Sequence, residues 1–260
     1  MEIFFHKYHG TGNDFIILDN RDHRYEKLTA SAICGLCDRR TGIGADGLMM
    51  LESAEGYDFR MLYFNTDGKP GSMCGNGGRC LVAFAYEIGI QQQHYRFIAS
   101  DGPHAAERLE DGRIRLHMID VTGITASSGA TVMNTGSPHY VQFVEDVSLI
   151  NVFDAGRTVR YSPAFADQGI NVNFVARTKK GITIRTYERG VEDETYSCGT
   201  GATACAIAST HENGHHAVSV QVKGGELEVE FTRINKETIS DIRLIGPATH
   251  VFTGTTSIYV

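Results

Sequence analysis

A chain of 260 residues, 42% hydrophobic and 21% charged, is long enough for one large or two small domains, and this composition excludes disordered and fibrous proteins. The net charge of -7, with basic residues scattered no more densely than Arg39-Arg40 and Lys179-Lys180, argues against a nucleic-acid groove. No stretch approaches the ~20 apolar residues that cross a bilayer, and the N-terminus lacks an uninterrupted apolar segment, so a soluble cytoplasmic protein is expected. In chain order, a helix is predicted over Thr29 to Arg39 and a strand over Phe59 to Phe64. An apolar helix follows over Arg79 to Ile88, ending near Gly89. A strand over Gly112 to Met118 precedes a Gly, Thr and Ser-rich stretch, Val121 to Thr131, that reads as a boundary between halves. Beyond it come a strand over Tyr140 to Val144, a weak helix over Ser148 to Thr158, a strand over Ile182 to Tyr187, and a second apolar helix over Ala202 to Thr210 that stops at Gly214. Val218 to Val222 reads as a strand. Glu226 to Phe231 alternates, with Leu227, Val229 and Phe231 on one face and three glutamates on the other, as a half-buried antiparallel strand does. Strands dominate around one apolar helix per half, which predicts an α+β fold rather than a parallel doubly wound sheet.

Two motifs repeat at one common spacing. Thr11-Gly12 with its followers recurs loosely as Thr135-Gly136, and Cys74-Gly75-Asn76-Gly77-Gly78 recurs as Cys198-Gly199-Thr200-Gly201-Ala202. Two independent motifs displaced by the same length imply two similar halves. The glycine content, 29 residues, points to tight turns and close backbone approaches. Cys-Gly-x-Gly opening a helix has a specific chemistry: the helix N-terminus offers unpaired N–H groups and a positive dipole end, which hold a carboxylate and favour a thiolate. Two such cysteines facing one cleft would put a sulfur on either side of one carbon, the geometry for removing a proton from one face and returning one to the other.

The remaining cysteines read differently. Cys34 and Cys37 lie within a helical pattern with Ile33 and Leu36 and lack a second Cys-x-x-Cys to complete a zinc set, and Cys80 and Cys205 lie in apolar helices where a thiol serves as a small hydrophobe. Six cysteines in this length are too sparse for a disulfide scaffold. The histidines are scattered, so no metal is expected.

The segments His9-Gly10-Thr11-Gly12-Asn13-Asp14-Phe15, Phe64-Asn65-Thr66-Asp67-Gly68, Met73 to Cys80, Tyr187-Glu188-Arg189-Gly190 and Ser197 to Ala202 resemble the diaminopimelate epimerase family, in the family's order and over essentially the full chain. The resemblance implies a cofactor-independent enzyme that interconverts L,L- and meso-2,6-diaminopimelate, in the route to lysine and peptidoglycan precursors. It implies two pseudosymmetric halves, each a central helix wrapped by mostly antiparallel strands: residues 1–120, completed by a returning strand over 248–260, and residues 121–247, with the active site in the cleft between them. By motif, Cys74 and Cys198 are the expected acid/base pair, and His139 and Glu188 the expected pair that tunes the thiols. Asn13, Asn65, Gly75, Asn76, Asn171, Glu188, Arg189, Gly199 and Thr200 are expected to hold substrate. The expected partner is a small diamino dicarboxylic acid, with neither nucleic acid nor membrane; a homodimer stays open.

Two departures from the family pattern stand out. Gly47 replaces a substrate-binding Gln found in some members, and Ser137 replaces the Asn that many have before Pro-His. A proline or hydroxyproline racemase with the same two-thiol logic is the alternative within enzymes, but its first loop carries His where this chain has Asn76. A noncatalytic amino-acid-binding protein is the alternative outside them, opposed by the presence of both cysteines.

Overall fold

A computed structural model describes residues 1–71, 73–127 and 129–258. The chain divides into two compact units, Met1–Leu116 with Pro247–Val260, and His117–Gly246. The first border falls slightly before residue 120 because residues 118–121 already pair within the second unit: Met118 N donates to Ile242 O at 2.9 Å, and Val121 and Ile239 exchange backbone bonds at 2.9 and 2.8 Å. The helices are α1 (Ala30–Cys37), α2 (Gly75–Glu87), α3 (Val152–Arg160) and α4 (Gly199–Ala208).

In the first unit, strand Glu2–Gly10 lies antiparallel between Asn13–Asp19 and Thr249–Ser257. Residues 259 and 260 of the expected returning strand lie outside the described residues. Asn13–Asp19 runs parallel to Gly47–Glu52, which pairs antiparallel with Phe59–Asn65. A parallel pair needs a crossover connection, and α1 supplies it, capped by Thr29, whose side chain accepts from Ala32 N. Ile33, Leu36 and Cys37 of α1 pack into the core with Ile3, Ile16, Leu18 and Leu48. The second unit repeats this local logic. Pro138–Phe143 runs parallel to Asn171–Thr178, with α3 in the crossover, and Gly214–Val222, Gly225–Arg233 and Ile239–Gly246 form an antiparallel meander.

Both apolar helices start earlier than their sequences predict. Gly75 to Gly78 are poor helix formers, yet they form the first turn of α2 and are buried throughout. Packing overrides propensity here: a Cβ on Gly77 would lie 1.9 Å from Met49 Cε. In α4 the turn Gly199 to Gly201 is likewise helical. Gly89 follows the α2 cap Ile88 with φ +99°, the left-handed conformation expected after a helix. Gly214 does not end α4, which closes at Ser209; it opens strand Gly214–Val222 instead. The alternating strand extends to Arg233, with Leu227, Val229, Phe231 and Arg233 all buried. Among the described residues no helix is long and apolar enough to cross a membrane.

Candidate active site

Cys74 is the N-cap of α2, with extended backbone (φ -107°, ψ 128°), and its side chain makes no capping bond to the helix. Cys74 Sγ lies 3.8 Å from Asn13 Oδ1, which also accepts from Asn76 Nδ2 at 3.1 Å. Asn13 Nδ2 donates to Asp46 Oδ2 at 2.7 Å, which fixes the amide so that its oxygen points to the thiol loop. Thus the structure brings three predicted residues, Asn13, Cys74 and Asn76, together with Gly75. Asn65 ends the neighbouring strand, exposed, and its backbone braces the turn at Gly68.

Beneath this loop lies Arg79, 0% exposed, which sequence reasoning passed over as part of an apolar helix. Its Nη1 donates to Gly75 O at 3.2 Å and its Nη2 to Asn76 Oδ1 at 3.0 Å, and among the described residues no carboxylate pairs with it. Burial pushes its pKa below the ordinary guanidinium value, and anionic character on Cys80 or Cys74 would oppose that. A fixed buried cation under the helix N-terminus suits an anion at the loop. Gly10 is part of the same packing, since a Cβ there would sit 3.0 Å from Asn76 O and 3.1 Å from Arg79 Nη2.

Gly47 has a local explanation. A Cβ at this position would lie 2.6 Å from the Tyr63 ring and 2.8 Å from Phe64 O, and one on Gly71 would lie 2.6 Å from the same ring. Tyr63 occupies the space a larger side chain would need, so a Gln-type contact has no room here.

Cys198, 6% exposed, caps α4 in the same extended conformation (φ -120°, ψ 111°), again with no side-chain capping bond. Its Sγ lies 3.5 Å from Thr200 Oγ1, and Thr200 Oγ1 lies 2.9 Å from His139 Nε2. His139 is fully buried and its pKa falls to about 3, through burial first and the Arg189 charge second, so the ring is neutral. Asn173 settles which ring nitrogen holds the proton. Thr186 Oγ1 donates to Asn173 Oδ1 at 2.9 Å, and Asn173 Nδ2 donates to Tyr140 O at 3.0 Å and to His139 Nδ1 at 3.1 Å. With Nδ1 accepting, Nε2 must carry the hydrogen and donate to Thr200, whose own hydroxyl hydrogen is left to point at sulfur. His139 therefore reaches Cys198 through Thr200. Gly201 keeps this arrangement tight: a Cβ there would fall 2.7 Å from Asn173 Oδ1 and 3.3 Å from Cys198 Sγ.

A second cluster in the same unit joins Ser137, Asn171 and Arg189. Asn171 Nδ2 donates to Ser137 Oγ at 2.8 Å and Asn171 Oδ1 accepts from Arg189 N at 2.8 Å, while Arg189 Nη1 donates to Gln168 O at 3.0 Å and Nη2 to Ser137 Oγ at 3.4 Å. Ser137, the second departure, is thus the acceptor that joins Asn171 to the exposed guanidinium. Glu188 is half-buried at the end of strand Gly181–Glu188, directly before Arg189. No motif signals Asn173 or Thr186, and Arg79 falls inside the Met73 to Cys80 segment without a role attached to it. Their partners lie on other elements, and an Asn, a Thr or an Arg in isolation carries no local signal.

Three of the other thiols, Cys37, Cys80 and Cys205, are buried and stay protonated. Burial pushes Cys37 up to about 11 and Cys80 up to about 12, and raises Cys205 well above the ordinary thiol value. His6, Glu87 and His250 have ligand atoms within 4.8 Å of one another, the arrangement among the described residues that could hold a metal ion; none is among the residues predicted for the site.

The diaminopimelate epimerase family model matches residues 5–122 and 131–251. The diaminopimelate epimerase of Flavobacterium psychrophilum is 48% identical over 250 residues, covering 95% of this chain and 97% of that protein. That of Chlorobaculum tepidum is 44% identical over 257 residues, covering 95% and 98%. Among solved structures, a PhzF-family phenazine biosynthesis protein of Bacillus anthracis aligns with TM-score 0.76 at 15% identity, covering 99% of this chain and 100% of that one. A probable proline racemase from Agrobacterium radiobacter aligns with TM-score 0.66 at 13% identity, covering 99% and 93%. At such identities these structures speak for a shared fold alone, whereas the matched motifs, the coverage and the identity to the named epimerases agree on one conclusion: the chain belongs to the diaminopimelate epimerase family.

Proposed function

We propose that this protein interconverts L,L- and meso-2,6-diaminopimelate in the cytoplasm by two-thiol acid/base chemistry, without a cofactor, on the route to lysine and peptidoglycan precursors. The observation that carries the reading is the occurrence of two cysteines, Cys74 and Cys198, each the N-cap of a buried glycine-opened helix and each without a capping bond. We read the two loops as equivalent parts of two pseudosymmetric halves that act on one α-carbon. One thiolate removes the α-hydrogen as a proton, the developing negative charge spreads onto the α-carboxylate, and the other thiol delivers its proton to the opposite face. The two thiols have then exchanged protonation states, and exchange with solvent or the reverse reaction resets them.

The α-hydrogen of an amino acid is weakly acidic, so the carboxylate must be stabilised as it gains charge. The backbone N–H groups of the first turns, at Gly75-Asn76 and Gly199-Thr200, point off the helix N-termini and suit a carboxylate there. Arg79 adds a buried positive charge behind the first loop. At the second loop, the His139–Thr200 hydrogen bonds supply a donor to Cys198 when it is anionic. Arg189 suits the distal carboxylate because a planar guanidinium binds it bidentately, and Asn13, Asn65, Asn171 and Glu188 suit the ammonium and carboxylate groups of a substrate with two amino-acid ends.

The test is an assay of the purified protein with L,L-diaminopimelate and no added cofactor. Appearance of the meso isomer, with no racemisation of proline or hydroxyproline, is expected. Proline racemisation without diaminopimelate turnover would overturn the reading in favour of a racemase, and no turnover of either would leave a binding protein.

A further inference from the structure

In the second unit, strand Gly225–Arg233 places Leu227, Val229 and Phe231 on its buried face, and the next inward position is occupied by Arg233. The alternation that puts apolar side chains in the core thus puts a guanidinium there, only 5% exposed. Arg233 Nη2 donates to Ile207 O at 2.6 Å, in the last turn of α4. Capping a helix C-terminus is an ordinary role for arginine, but it engages one of five donors. Arg233 Nε is buried with no hydrogen-bond partner, and among the described residues no carboxylate pairs with the side chain. Ser209 O, one residue beyond the helix, is already served by Arg177 Nη1 at 2.9 Å.

Arg233 lines a cavity of about 400 Å³, within the range of small-molecule sites. Its lining includes the apolar Ile124, Met133 and Ile207 and the polar Arg233, Lys236 and His211, and among the described residues no Asp or Glu lines it. A buried cation that lacks a counter-charge is costly, and an anion entering beside it would supply that charge. A neutral or cationic molecule would not.

We propose that this cavity binds a small amphiphilic carboxylate, its head held by Arg233 and Lys236 and its short aliphatic body lying against Ile124, Met133 and Ile207. The site is separate from the residues proposed for catalysis and does not depend on the reading of them. Octanoate is a suitable probe. Titrated calorimetrically into the full chain in a low-salt, non-anionic buffer, it should bind with a Kd near or below ~1 mM, given the modest affinity that ten or so heavy atoms supply. Octan-1-ol and octylamine, which keep the body and change the head, should bind about tenfold more weakly or worse, because neither replaces a charge-assisted bond to the guanidinium. Arg233→Met should lose octanoate binding by about tenfold or more. Lys236→Met, a change at an exposed position that leaves the core untouched, should weaken it by about threefold and decides the matter if the first variant does not fold. Arg189→Met should bind octanoate as the parent does. The proposal is overturned if octanoate does not bind at ~10 mM, if octan-1-ol or octylamine binds as tightly, if Lys236→Met keeps full affinity, or if Arg189→Met abolishes binding and so moves the carboxylate to the candidate active site.

Discussion

Replacing Cys74 or Cys198 by alanine should each lower the rate of epimerisation by ~10²–10⁴-fold or more, since either change deletes one of the two proton-transfer groups. Both variants should stay folded. Neither sulfur makes a capping bond to its helix, so alanine costs no capping bond at either position, although at Cys198 it removes the contact with Thr200 Oγ1, and the first turns stay held by Gly78 N to Cys74 O at 2.7 Å and Ala202 N to Cys198 O at 2.9 Å. Circular dichroism and thermal melting should therefore overlay on the parent while kcat collapses. Cys34→Ala is the control: Cys34 is exposed on α1, and its rate should stay within about a few fold, as for most surface changes. Parental kcat in either single variant would sink the two-thiol assignment.

The second large effect is expected at Asn173, which is joined to Cys198 through His139 and Thr200. Asn173→Leu leaves Thr186 Oγ1 and His139 Nδ1 without their buried partner, which costs about 1–3 kcal/mol of stability for each unsatisfied group. A loss of that kind alone would be structural. Asn173→Asp separates the positioning role: a carboxylate accepts from Thr186 as before but cannot donate to His139 Nδ1. The imidazole hydrogen then moves to Nδ1, Nε2 becomes an acceptor, and Thr200 turns its hydroxyl to the ring and away from Cys198 Sγ. In Asn173→Asp, kcat should fall by ~10-fold or more, and the pH profile for alkylation of Cys198 should move upward, because its thiolate has lost a donor. An unchanged alkylation profile in a folded Asn173→Asp protein would show that the chain from Asn173 to Cys198 has no bearing on the thiol.

The sequence shows clearly the features that are local. Cys74 and Cys198 announce themselves because the glycines that shape their loops are adjacent in the chain, and Glu226 to Phe231 because one face is wet and the other dry. Gly47–Glu52 is buried at every position, so it lacks the alternation that would reveal a strand. The parallel pairings across α1 and α3 are likewise set by crossovers that no single segment encodes. In the candidate site, Asn13, Asn76, Asn171 and Arg189 are expected from the family resemblance, whereas Asn173 and Thr186, and the role of Arg79, acquire meaning only through the hydrogen bonds that folding gives them. Tyr63 belongs with them: its ring explains Gly47 and Gly71, but neither glycine reveals it beforehand.

The most direct test of two-thiol catalysis is isotope incorporation at initial rates in deuterated water, run separately from L,L- and meso-diaminopimelate. The thiol that protonates the carbanion has exchanged with solvent and carries deuterium, while the opposite thiolate holds the protium taken from substrate. Mass spectrometry should therefore find deuterium in the product and none in the recovered substrate, in both directions. A single base serving both faces would return the original hydrogen, and a largely unlabelled product in either direction would contradict the assignment of Cys74 and Cys198 to opposite faces of one carbon.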